Sequence, residues 1–181
     1  HRGWYYLLTI DKDRYLHWGE HENRGLVTNN PPFSFYDTGY TYGKKYAFAH
    51  AISDGSARGT EVVFNGYESI RTSAGEFKNC LKSTFTYINP NGSTFESVTW
   101  LAKGVGVVKK EFSIFSPKAG QTLRFDRELI HANINGKKVG GKSSPTVDNW
   151  KDYFPFYQGD SWTYDWTYTL GNGITKSEDR K

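Results

Sequence analysis

The sequence predicts an all-β protein built on a curved antiparallel sheet, a half-barrel or sandwich, with at most short helical turns. Three observations carry this. Apolar residues recur with period two over many short segments. Turn signals separate those segments at intervals of about 8–12 residues. No window of a dozen residues holds a helical stripe.

Each element follows from local pattern. Trp4–Ile10 (WYYLLTI) is aromatic and apolar, Asp11-Lys12-Asp13 turns, and Arg14–Trp18 returns as the second arm of a hairpin. Asn29-Asn30-Pro31-Pro32 reads as a break. Tyr46–Ile52 alternates, with Tyr46, Phe48, His50 and Ile52 on one face and three alanines on the other. Ser53–Ser56 turns the chain. Glu61–Phe64 and Tyr67–Arg71 flank Asn65-Gly66, which predicts a tight hairpin. Ala74–Asn79 is expected to form one helical turn. Cys80–Ile88 alternates, setting Leu81, Ser83, Phe85 and Tyr87 against Cys80, Lys82, Thr84, Thr86 and Ile88. Asn89-Pro90-Asn91-Gly92 is a turn. Ser93–Leu101 and Val105–Phe115 are strands around Lys103-Gly104, and Thr122–Ile130 is another before the tight turn Asn135-Gly136.

The stretch 140–152 (GGKSSPTVDNWKD) is linker-like. It divides the chain into a β domain, 1–139, and a C-terminal strand segment, 153–181, that completes this sheet or a neighbouring one. Within that segment Ser161–Leu170 has the cleanest alternation of all. Trp162, Tyr164, Trp166, Tyr168 and Leu170 share one face, and hydroxyl and acidic residues share the other. Five such side chains left in water would forgo roughly 1.5–3 kcal/mol each, so the strand needs an apolar partner. Gly171–Lys181 is polar and expected to fray.

Composition narrows the functions. The 181 residues carry a net charge of +4, with Lys and Arg spread in pairs (44–45, 109–110, 137–138) that suit solubility and edge protection. A nucleic-acid surface carries a denser basic stripe, so no nucleic-acid partner is expected. No apolar run approaches a membrane span. The single cysteine, Cys80, forms no internal disulfide and reads as a small buried residue. The chain starts at His1 and holds no methionine, which points to a mature or trimmed form or to a fragment whose numbering restarts. Asn91-Gly92-Ser93 fits a glycosylation acceptor.

No catalytic constellation stands out. His17-Trp18-Gly19-Glu20-His21 matches H-x-x-E-H, but that zinc chemistry requires a helix. Here Gly19 and strand-like flanks interrupt it, and in a strand residues four apart lie about 13 Å from each other. There is no nucleophile elbow, no defensible carboxylate pair, no phosphate loop and no complete calcium loop. We therefore expect no enzyme, no cofactor and no metal.

Two segments echo each other. Gly43-Lys44-Lys45-Tyr46-Ala47-Phe48 and Gly159-Asp160-Ser161-Trp162-Thr163-Tyr164 share the form G-x-x-aromatic-x-aromatic. With Tyr153-Phe154-Pro155, with Ala74-Gly75-Glu76-Phe77-Lys78-Asn79-Cys80 and with Gly104-Val105-Gly106-Val107-Val108-Lys109-Lys110-Glu111, the chain resembles a group of secreted bacterial envelope proteins and lipoproteins. Their motifs are YFP…GxxWxY, AGxFxxC and GVGxVKxE. The resemblance implies a curved antiparallel sheet like that of lipoprotein-carrier half-barrels, an extracellular or envelope location, and no particular chemistry. In such proteins the GxxWxY motif comes first; here it comes last. The segment then folds back in cis, begins a truncated second repeat, or inserts into a neighbouring molecule.

The expected function is thus a non-catalytic extracellular or cell-surface structural protein. It would self-assemble with copies of itself, into filaments by donating the C-terminal strand. The alternative is a secreted or periplasmic half-barrel that binds a lipid or other apolar ligand.

Overall fold

A computed structural model describes residues 5–11, 14–22, 25–37, 39–53, 57–140, 159–169 and 175–180. Among these there is no helix, and no helix long and apolar enough to cross a membrane. The strands are β1 (Tyr5–Asp11), β2 (Arg14–Glu22), β3 (Gly25–Asp37), β4 (Lys45–Ile52), β5 (Ala57–Thr72), β6 (Gly75–Ile88), β7 (Thr94–Ala102), β8 (Gly106–Ser116), β9 (Gln121–Ile134), β10 (Lys137–Val139), β11 (Ser161–Thr169) and β12 (Thr175–Arg180). They form one antiparallel sheet in chain order, with β10 alone off the path, paired to β9. The sheet does not close into a barrel, and among the described residues β1 and β12 stand at its two ends. The predicted curved antiparallel sheet is what is found.

Alternation in the sequence becomes burial in the strands. In β6, Leu81, Ser83, Phe85 and Tyr87 are buried while the intervening residues are not. In β4, His50 is buried and the alanines are exposed. The turns at Asn89–Gly92 and Asn135-Gly136 form as expected; Asn135 and Gly136 both take positive φ (48° and 73°), as a two-residue hairpin turn requires.

Four local expectations are corrected. Asn65-Gly66 does not turn the chain. β5 runs straight through it, pairing Phe64 with Ser83 and Gly66 with Lys82 across a bulge. The long β6 offers a ladder on both sides of Asn65-Gly66, so Gly66 at φ +88° supplies a bulge instead of a reversal. Asn65 Oδ1 accepts a hydrogen bond from Thr84 Oγ1 at 2.8 Å, and the Tyr42 ring lies over Gly66 where a Cβ would sit 2.9 Å from it. The reversal comes later, at Ser73-Ala74, closed by the Thr72–Gly75 pair. Consequently Ala74–Asn79 is no helical turn but the turn and the start of β6. Asn29–Pro32 stays within β3. Residues 29–32 fall where the β2–β3 register shifts, so the prolines face no missing ladder bond to β2 there. Finally, the polar tail does not simply fray: β12 pairs with β11 from Thr175 to Arg180.

Curvature covers both faces of the sheet. Cys80 and Leu81 are adjacent and both 0% exposed, yet successive strand residues point to opposite sides. Cys80 joins the main core, with Phe77, Trp100, Val105, Val108, Leu129, Ala132 and Ile134. The β5–β6 tip reaches over to β9, where Ala74 N–H donates to the Leu129 carbonyl at 3.0 Å. Leu81 joins Leu101 and Tyr36 of β3 in a second cluster. β3 pairs with β4 only at Asn29 and Asn30; its later residues leave that ladder and bring Tyr36 onto β6 and β7. A third cluster, Val62, Phe85 and Tyr87, is extended by Tyr40, Phe48 and Phe95. From Tyr87 the rings continue across the sheet through Phe95, Phe112 and Phe125 at centroid spacings of 5.7, 5.7 and 4.9 Å.

Candidate functional site: the seat of the C-terminal strand

The strand singled out by its alternation, β11, lies between β9 and β12 in the chain's own sheet. Its antiparallel ladder to β9 runs from Ser161↔Asn133 to Thr169↔Arg124, with a bulge between Thr163 and Tyr164. Entry is defined by Gly159, at φ +92°, and by Asp160, whose Oδ1 accepts the Asn135 N–H at 2.7 Å. That bond ties the start of β11 to the turn between β9 and β10.

Two rings anchor the strand. Trp162 and Tyr164, half-buried, pack against the main core. The Trp162 indole N–H donates to the Val105 carbonyl at 2.6 Å, and the Tyr164 hydroxyl donates to the Val107 carbonyl at 3.0 Å. These acceptors have a reason to be available. The β8–β9 ladder begins only at Lys109↔Glu128, so residues 105 and 107 have no β9 partner. Buried carbonyls require donors, and the rings of β11 supply them. The Arg127 guanidinium sits 4.4 Å from the Tyr164 ring centroid, a cation–π contact. Thr163 and His131 pair side chains at 3.0 Å on the other face. Trp166 and Tyr168 stand opposite Arg127 and Phe125 of β9 and opposite Glu178 and Lys176 of β12; their side chains, and Leu170, lie outside the described residues.

A second constellation was not visible in the sequence. Trp100, 4% exposed, has Lys82 Nζ 5.0 Å and Lys109 Nζ 5.4 Å from its ring. Glu68 accepts from the Trp100 indole at 3.2 Å and from Lys82 at 2.8 Å, and these hydrogen bonds hold its carboxyl below the usual range. Lys109 lies 2.8 Å from Glu111 and 3.7 Å from Glu128. Burial pulls the Lys109 pKa down, but the Glu111 hydrogen bond and the surrounding carboxylates more than offset it, and the net shift is upward. The Lys109-Lys110 pair therefore does more than keep a strand soluble. Lys109 joins Glu128 of β9 while its ammonium lies over the Trp100 ring of β7, and Lys110, 9% exposed, reaches the Phe112 ring at 5.7 Å. Only the ladders, which place Lys82, Trp100 and Lys109 side by side on three strands, bring these residues together.

Asp126 faces Glu111 directly across the β8–β9 ladder. Burial first, then the Glu111 charge, raises its pKa. A carboxyl whose pKa is raised on folding binds its proton more tightly in the folded state, so its ionisation at neutral pH disfavours folding. Asp126→Asn is expected to stabilise the protein at pH 7 by a few tenths of a kcal/mol, the lower part of the range for opposed like charges. The gain should disappear as pH falls to about 3, where the wild-type carboxyl is protonated as well. Urea unfolding of both proteins at several pH values measures it.

The remaining sequence candidates are dispersed. His17, Glu20 and His21 lie on β2, a strand where the zinc pattern demands a helix. His50 is buried and faces Arg58; burial, then that charge, lowers its pKa. Burial pushes the Cys80 thiol up to about 11, so it serves as a packing residue and not as a nucleophile. Asn91 is exposed at the β6–β7 turn, with its carboxamide oxygen engaged by Ser93. Among the described residues no group of three or more His, Cys, Asp or Glu could hold a metal ion.

No protein family, curated protein or solved structure matches the chain.

Proposed function

We propose that the chain is a secreted or cell-surface structural protein that works by assembling with copies of itself, using the strand Ser161–Leu170 as the donor. One observation carries this reading. The core cluster that Trp162 and Tyr164 pack against, with Ala74, Phe77 and Cys80 beside residues 100–134, and both of their hydrogen-bond acceptors lie upstream of the linker. These parts of the seat lie outside β11 itself, so a copy's β11, carrying its β12, can take the same ladder and the same two hydrogen bonds. The stretch 141–158 reaches up to roughly 60 Å when extended, enough to arrive at a neighbour. Choice between own and neighbouring seat is then a matter of effective concentration, and exchange that does not close propagates head to tail.

Deletion of residues 153–181 tests it. Intact protein should pass from monomer to polymers as concentration rises, by size-exclusion chromatography and electron microscopy, and the deletion should form none. An intact protein that remains monomeric throughout, or a deletion that still polymerises, overturns the proposal.

A further inference from the structure

We infer that Tyr42 and Tyr67 form a two-ring platform that binds a saccharide whose pyranose units carry equatorial substituents. Among the described residues four large hydrophobic side chains are exposed: Tyr42 at 72%, Tyr67 at 59%, Ile88 and Phe115. The two tyrosines belong together. Both stand edge-on to Phe64, with ring centroids 6.5 and 5.5 Å from it and interplanar angles of 90° and 77°. Phe64 in turn packs against the buried cluster of Tyr36, Leu81 and Leu101, so the pair is rooted in the core.

Two irregularities of the chain hold these rings in place. The first is the bulge at Asn65-Gly66. In an unbroken strand residues 64 and 67 point to opposite faces. The extra residue brings Tyr67 opposite Leu81, on the face where Phe64 stands opposite Ser83. The second is the missing side chain at Gly66, over which the Tyr42 ring lies; a Cβ there would come within 2.9 Å of it. The backbone around Tyr42 is tied at three points. Thr41 N–H donates to the Tyr46 hydroxyl at 2.8 Å, Gly43 N–H to the Phe64 carbonyl at 2.9 Å and Lys44 N–H to the Thr41 carbonyl at 3.1 Å. A tyrosine re-aimed by a bulge and still left in water does not serve the core. Rings fixed before binding lose little freedom when a ligand covers them.

The surroundings select the occupant. Two tyrosines at these exposures offer on the order of 250 Å². A standard protein interface takes roughly 800 Å² from each partner. Ile88 and Phe115 do not enlarge the patch, since they flank Thr94 at the other end of the β6–β7 and β7–β8 ladders. The exposed residues beside the two rings along the chain include Thr41, Lys44, Glu68 and Ser69, all of them hydrogen-bonding. The nearby charges are matched, Lys45 with Glu61 and Lys82 with Glu68, so no net charge calls for an ionic ligand. What fits is a small molecule with a flat apolar face for the rings and a hydroxylated edge for the rim. An equatorially substituted pyranose has both, because its axial C–H bonds make up the face. Nothing in this platform involves β11, so it is independent of strand exchange.

Calorimetric titration of the full chain with hexasaccharides of β-1,4-linked glucose and of β-1,4-linked N-acetylglucosamine tests it. At least one should bind with a Kd below about 1 mM. Tyr42→Ala and Tyr67→Ala should each weaken that binding about tenfold, roughly what one stacked planar group contributes. Tyr42→Phe and Tyr67→Phe keep the rings and should bind nearly as the parent does. Gly66→Ala keeps both rings but displaces Tyr42, and should weaken binding as well. On the unaltered chain, titration should shift the amide resonances of residues 41–44 and 64–68, a readout that needs no variant to fold. Absence of binding by either hexasaccharide at millimolar concentration overturns the inference. So does binding that shifts only other resonances, or that survives Tyr42→Ala/Tyr67→Ala. A double variant that loses self-association in place of saccharide binding would give the rings to a second copy of the chain, which also overturns it.

Discussion

Trp162→Ala is expected to cost about 3 kcal/mol and to release β11 before the rest of the sheet unfolds. The indole is partly exposed, which places the packing loss at the low end for a tryptophan truncation. To this is added the Val105 carbonyl, which loses its 2.6 Å donor. Trp162→Phe separates the two contributions: it keeps a ring on the core and removes only the donor, so it should cost about 1 kcal/mol. Amide exchange reads the localisation. In Trp162→Ala, residues 161–169 and their β9 partners should lose protection while β5–β7 keep theirs, because opening one joint leaves the ladders among β5, β6 and β7 intact. If the urea midpoint does not move, the ring does not anchor the strand.

The self-assembly reading makes the same variant informative in a second way. A strand that seats in a neighbour must use the contacts it uses at home. Trp162→Ala should therefore weaken polymer formation in proportion to its cost at the cis seat. A variant that loses cis protection but polymerises as well as wild type would require a different interface.

Where the sequence was legible, one physical rule did the reading. Side chains alternate in a strand, and a sheet with one buried face sorts them by polarity. Hence the faces of β4, and of β6 from Leu81 onward, were recoverable, as was the shared face of Trp162 and Tyr164. Turn chemistry was legible only where no partner strand competed. Asn135-Gly136 turns because β10 must fold back on β9. The same dipeptide at Asn65-Gly66 becomes a bulge, because β6 pairs with the chain on both sides of it. Positive φ at the glycine is what the two dipeptides share; reversal or bulge is decided by which strand pairs beside them. The Trp100 cluster was illegible for a related reason. Lys82, Trp100 and Lys109 are distant in sequence and meet only through two ladders. The tail was misjudged from its polarity: β12 holds by backbone pairing to β11, to which side-chain hydropathy is blind.

Leu129→Ala is expected to cost about 3–4 kcal/mol, more than any single change on β11 itself. Leu129 is 0% exposed and stands where three parts of the sheet converge. Tyr164 of β11 lies opposite it, its carbonyl holds Ala74 at the β5–β6 tip, and its side chain belongs to the main core. Truncation leaves a cavity that a strand held by the β11 ladder and by the Ala74 hydrogen bond collapses into poorly, which sets the cost in the middle of the range for leucine. Leu123, on the same strand but partly exposed, should lose distinctly less on the same change. The pattern of lost protection distinguishes this variant from Trp162→Ala. Because Leu129 joins the β5–β6 tip to β9, its loss should weaken residues 70–77 as well as 161–169, coupling two regions that lie about ninety positions apart in sequence but meet at one side chain. If urea unfolding of Leu129→Ala shows a loss below about 1 kcal/mol, the curl that brings the tip over β9 is not what holds the two faces of the sheet together.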